Sequence, residues 1–205
     1  LPLVIFPLAM ELLAGLAPYF PQLPESFKAA FATMGSDTLP LWAVIGVFAL
    51  APAICEELAF RGFILSGFSS GGRWKVAVVL SSVTFGIIHM VPQQVFNASL
   101  LGLVLGLMAI RSRSLIPGIV FHLLFNSLGV LHSQFTEQLK MGTPGWLESG
   151  FGKLLFTIVR SDSGEPVALR FDFPLLAVCG VVTFLLIRTL IRMKPTSQDS
   201  ALPDV

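Results

Sequence analysis

Apolar runs of membrane-crossing length recur along this chain. The longest extends from about Leu39 to Gly67, and others occupy about 1–20, 74–91, 95–110, 115–133 and 171–191. A helical span needs about 20 apolar residues, so the pattern predicts an all-α fold, a polytopic transmembrane helix bundle of about six spans. Composition agrees. Hydrophobic residues make up 54% of the 205 and charged residues only 12%, against roughly 25% charged in soluble domains. So few charges exclude a water-soluble enzyme domain and a disordered chain. A net charge of +1 supplies no basic field for nucleic acid.

The basic residues order the spans. Arg73 and Lys75 lie between spans two and three, Arg111 and Arg113 between four and five, and Arg188, Arg192 and Lys194 at the end of the last. Six alternating spans put all three clusters on one side, which the positive-inside rule makes cytoplasmic. Both chain ends are then cytoplasmic, and the 21–38 loop and a mixed 134–170 insert face outward. The insert is read as a simple cover, and the polar tail 194–205 as disordered. The domain is expected to occupy 1–193 with its core at about 39–135. The apolar start at Leu1, with no basic region or cleavage site, is read as a span of a longer parent chain and not as a leader.

Cys55 and Cys179 are far apart in apolar runs, which argues against a disulfide framework or a Cys-rich zinc site. Gly102 and Gly106 form a small-residue pair suited to close helix packing inside the bundle. Asn97-Ala98-Ser99 fits a glycosylation sequon by chance, at the edge of a span.

Ionisable groups inside spans are costly, so each marks a candidate site. The chain has a compact set, Glu56, Glu57, Arg61, His89, His122 and Asn126, on three spans. Neighbours on a helix diverge by about 100°, so Glu56 and Glu57 point differently. Glu57 and Arg61 are i, i+4 with the acid first, the favourable order for a pair. That leaves Glu56 to face something else. His122 and Asn126 share a face, as do Phe85 and His89. His132, beside Ser133 and Gln134, is read as an interfacial residue.

These residues resemble a known family. Glu56-Glu57-Leu58-Ala59-Phe60-Arg61 is similar to the EExxxR motif of the CPBP family, the CAAX prenyl protease type II and bacteriocin-processing proteins also called Abi. Phe85-Gly86-Ile87-Ile88-His89 resembles its FxxxH, and His122-Leu123-Leu124-Phe125-Asn126 its HxxxN. The order also agrees, over about residues 39–135. The resemblance implies an intramembrane endopeptidase of the bacterial plasma membrane, with membrane lipid and a peptide or protein as partners and no nucleic acid. Glu56 would be the base that activates water, and His89 would assist. His122 and Asn126 would stabilise the oxyanion, with Glu57 and Arg61 in support. No cofactor is then required. A dry site raises a carboxyl pKa toward the range a base needs, and water must reach it, so a polar cavity open to the cytoplasm is expected.

Three alternatives stand beside this reading. Glu56, His89 and His122 are a possible His2Glu zinc set with an open water position, as in a metalloendopeptidase. Cys55 is a cysteine nucleophile only if a histidine reaches it. The polar set also suits a non-proteolytic domain associated with a transporter, since some family members are fused to ABC-transporter permease segments.

Overall fold

The computed structural model describes residues 1–21, 39–69 and 72–193. The 22–38 part of the expected outer loop, Lys194 and the tail lie outside the described residues. Among the described residues, six apolar helices form the bundle: α1 (Pro2–Leu16, extended by a tight turn to Tyr19), α2 (Leu41–Ser69), α3 (Trp74–Ile87), α4 (Pro92–Ser112), α5 (Ile116–Gln138) and α8 (Phe173–Arg192). Between α5 and α8 come two short helices, α6 (Gly145–Glu148) and α7 (Gly150–Leu155), and strands β1 (Phe156–Arg160) and β2 (Pro166–Phe171).

All helices but α3 among the six are long and apolar enough to cross a membrane. The expected third span ran to residue 91, but α3 has 14 residues. At about 1.5 Å per residue it is about 21 Å long, short of a hydrocarbon core of about 30 Å. It stops because the chain turns back. His89 N–H donates to the Gly86 carbonyl and Met90 N–H to that of Ile87. Met90 then takes a left-handed φ of 55°, and Pro92 opens α4 in the first helical turn, where a missing N–H costs nothing.

Small residues weld α3 to α4. A Cβ on Gly102 would lie 2.9 Å from Ser82, and one on Gly106 3.1 Å from Val78. The glycine pair therefore serves internal packing, as its spacing predicts. Phe6 of α1, Leu101 and Leu105 of α4 and Phe121 and Phe125 of α5 form the central apolar core. Helix α8 is peripheral, and Phe184 is 63% exposed on its outward face.

The basic clusters do share one end. The Arg111 guanidinium donates to the Met193 carbonyl at 3.2 Å and lies 5.3 Å from the Trp74 ring, which Lys75 also faces. Three junctions distant in sequence thus meet.

At the opposite end the insert is more than a loose cover. The antiparallel hairpin pairs Phe156 with Phe171 and Ile158 with Leu169, a small sheet added to the all-α expectation. Leu139, Leu147 and Leu169 give this region its own core. Glu11, a lone charge within the apolar run of about 1–20, anchors it. Its carboxylate accepts from Arg170 Nε at 2.8 and 2.9 Å, from Arg170 Nη2, and from the Phe171 N–H at 2.8 Å. His132 Nε2–H donates to the Leu169 carbonyl, and its ring packs against Phe6 and Phe171. His132 thus pins α5 to the hairpin.

Candidate active site

Helix α2 supplies two carboxylates and a guanidinium, and its turns widen just after the carboxylates. The segment Leu58–Leu65 has wide turns with i→i+5 hydrogen bonding, a distortion frequent at functional sites. Ser81 of α3 donates to the Phe60 carbonyl at 2.9 Å, which ties this segment to its neighbour.

Glu57 is fully buried, and Arg61 and His122 are 3% and 2% exposed. Arg61 Nη1 donates to Glu57 Oε1 at 2.7 Å, and Nη2 to the Gly102 carbonyl at 3.3 Å. The guanidinium also lies 4.5 Å from the centre of the Phe85 ring. The i, i+4 pair expected from sequence is therefore formed. Its charges need such partners, because a buried ion without them is strongly destabilising.

The two adjacent glutamates meet the same imidazole. His122 Nδ1 is 3.2 Å from Glu57 Oε1, and Nε2 is 3.6 Å from Glu56 Oε2. Neighbouring helix positions do diverge, but the two nitrogens of one ring span the divergence. Glu56 is thus not free of the pair's surroundings, as its position in sequence suggested. The carboxylate of Glu57 only accepts, so Nδ1 carries the proton and Nε2 faces Glu56.

His89 lies past the end of α3, in the turn, and not on the helix as its FxxxH spacing implied. It still reaches back four residues. Nδ1–H donates to the Phe85 carbonyl at 2.9 Å, and the Phe85 ring packs edge-on to both His89 and His122. The carbonyl fixes the neutral ring's tautomer and leaves Nε2 as an acceptor.

A cavity of about 130 Å³ is lined by His89, His122 and Asn126, with Gln94 and Asn97 completing its polar wall. Glu56 is not in that lining and meets the site through His122. The lining residues nearest a helix end, His89 and Gln94, belong to the α3–α4 turn. The short α3 brings this turn down into the bundle, where it meets the cavity.

Gln94, Asn97 and Gly118 were not legible as site residues. The two amides carry no charge, so a search for ionisable groups passes over them, although their i, i+3 spacing puts them on one face. Gly118 sits one turn before His122, and a Cβ there would lie 2.9 Å from Glu57 Oε2. Cys55 is exposed, and Cys179 is buried in α8. Among the described residues, no three His, Cys, Asp or Glu side chains come together as a metal site.

No curated protein and no solved structure matches the chain. Residues 38–128 match the family model described as type II CAAX prenyl endopeptidase Rce1-like, a stretch that includes all six polar residues from Glu56 to Asn126. That stretch, less than half of the chain, is similar to the CAAX-type endopeptidases, and the long apolar helices mark an integral membrane protein.

Proposed function

We propose that the protein is a glutamate-dependent intramembrane peptidase that hydrolyses a peptide bond in a CAAX-type substrate. The observation that carries the reading is His122, held by Glu57 at one nitrogen and facing Glu56 at the other. Glu56 takes one proton from water as the water oxygen attacks the peptide carbonyl. His89 Nε2 accepts the second water hydrogen and orients it. Negative charge collects on the carbonyl oxygen and is met by Asn126 Nδ2–H and by His122 Nε2–H. Because Nδ1 already donates to Glu57, His122 supplies that second N–H as an imidazolium. The charges then balance, with Arg61 against Glu57 and His122 against Glu56. Collapse of the intermediate breaks the C–N bond, and the proton on Glu56 passes to the leaving amine. The products are a free amine and a carboxylic acid, which gives its remaining proton to solvent by way of His89.

The basic end, on this proposal, faces the cytoplasm. The test uses purified protein in detergent and a fluorogenic farnesylated CAAX peptide. The wild type cleaves it, and Glu56→Gln lowers kcat by about 10²- to 10⁴-fold, the usual contribution of a general base. Cleavage by Glu56→Gln at the wild-type rate would falsify the mechanism. Activity lost in chelator and restored by zinc would replace activated water with the metal chemistry.

A further inference from the structure

Two cavities meet on one face of α4. Besides the polar cavity, a groove of about 360 Å³ runs between α1, α4 and α8 and is lined mainly by aliphatic residues such as Leu8, Val104, Leu107 and Ile187. Asn97 and Leu101 of α4 line both. A polar amide at the edge of an apolar groove in a membrane bundle costs free energy unless its groups find partners.

Asn97 is half satisfied. Its Nδ2 donates to the Ala9 carbonyl of α1 at 3.3 Å. A carbonyl only accepts, so this bond fixes which way the amide is turned. The Oδ1 is left, and no hydrogen bond from a described residue reaches it. Gln94, one turn earlier, lines the same polar cavity.

A peptide bond in that cavity brings a matching requirement. Its carbonyl is met by Asn126 and His122 on the peptidase reading. The neighbouring backbone N–H still needs an acceptor, since a buried donor left unpaired keeps its full desolvation penalty. His89 Nε2 is engaged with water on that reading, and Glu57, whose Oε1 serves Arg61 and His122 and whose Oε2 is buried, does not line the cavity.

We propose that Asn97 is a substrate-binding residue: its Oδ1 accepts a backbone N–H beside the scissile bond, where the substrate's apolar chain leaves the polar cavity for the groove between α1, α4 and α8. This rests on the peptidase reading, which it deepens by naming a substrate contact and the path of the apolar chain. Thr183 of α8 lines the groove but not the polar cavity, so the two subsites can be altered separately.

The experiment measures binding apart from hydrolysis. A fluorescently labelled heptapeptide carrying an S-farnesyl cysteine is titrated into the Glu56→Gln protein in detergent and followed by anisotropy. Adding Asn97→Leu weakens binding by about threefold to tenfold, the fold-change of one hydrogen bond. A probe N-methylated at the contacted amide binds the parent more weakly by a similar factor, and binds the Asn97→Leu protein with no further loss. A residue that only holds α1 to α4 would not produce that non-additivity. Thr183→Phe weakens the farnesyl probe and leaves an S-methyl probe unchanged. Asn97→Ala replaces Asn97→Leu if melting shows the latter unfolded. The proposal is overturned by unchanged affinity in the Asn97 variant, by fully additive losses, or by no saturable binding of the farnesyl probe. Saturable binding with this pattern, but no turnover by the wild type, would sink the peptidase reading and leave the binding site standing.

Discussion

Among the described residues, two glutamate–arginine pairs each have a histidine nearby, and they are finished to different degrees. Glu11 accepts from three nitrogens, and Arg170 is 39% exposed, so solvent serves what the protein does not. The paired carboxylate pushes the Arg170 pKa up, and that partner stays charged at any working pH. Glu57 is different. Its Oε1 is shared between Arg61 and His122, while its Oε2 is buried with no hydrogen-bond partner, as is Arg61 Nε. Beyond it, Glu56 lies 3.6 Å from His122, longer than a good hydrogen bond. Unsatisfied buried polar groups are rare and need a reason. One pair closes on itself and clamps a hairpin. The other keeps unpartnered valences inside the bundle, behind the His122 that lines the cavity.

The largest effect that tests this contrast is expected at Arg61. Arg61→Met leaves Glu57 charged, buried and unpaired, at a cost of about 3–5 kcal/mol. Chemical or thermal unfolding in detergent reads it. Adding Glu57→Gln removes the stranded charge and restores much of the loss. A single variant as stable as the wild type would mean that solvent reaches this pair too, and the contrast would fail.

Gly118→Ala comes next. The added Cβ would lie 2.9 Å from Glu57 Oε2 and 3.6 Å from its Cδ. The carboxylate must turn, and both of its bonds turn with it. Overpacking of this kind costs about 1–3 kcal/mol. Because Glu57 orients His122, turnover of the CAAX peptide is expected to fall even where the variant remains folded. Unchanged stability and turnover together would show that Glu57 does not need its present geometry.

The same contrast explains what could be read without coordinates. The spans were legible because about 20 apolar residues in a row have few other uses. Glu56, Glu57, Arg61, His89 and His122 were legible because charge inside such a run is costly. Helix periodicity also gave the Glu57–Arg61 pair. It could not give the end of α3, which depends on a left-handed Met90 and a turn closed by local hydrogen bonds. Nor could it show that one imidazole spans two diverging carboxylates, because that depends on how α5 packs against α2. Glu11 was visible only as a blemish in an apolar run, since its partner Arg170 is 159 positions away. Gly118 acts through the Cβ it lacks, and a sequence does not say which neighbour needs the room.

Glu11→Ala is expected to have the smallest effect. The variant gives up a bidentate pair and strands the Phe171 N–H, yet Arg170 is more than a third exposed and can turn to water. Exposed pairs contribute about 0–1 kcal/mol, so a loss of about 1 kcal/mol is the upper end of the expectation. The consequence should be local. With α1 released from the hairpin, the Ser161–Gly164 turn and the strands beside it open more often, and limited proteolysis should cut there first. The His132 bond to the Leu169 carbonyl still holds the hairpin to α5, which keeps the loss small. Turnover should stay near wild type, because no residue of the polar cavity touches Glu11, Arg170 or His132 through a described hydrogen bond. If Glu11→Ala instead abolished turnover in a protein that still melts cooperatively, the clamp and the site would be one coupled unit. The distinction between a finished pair and an open one would then describe two ends of a single network.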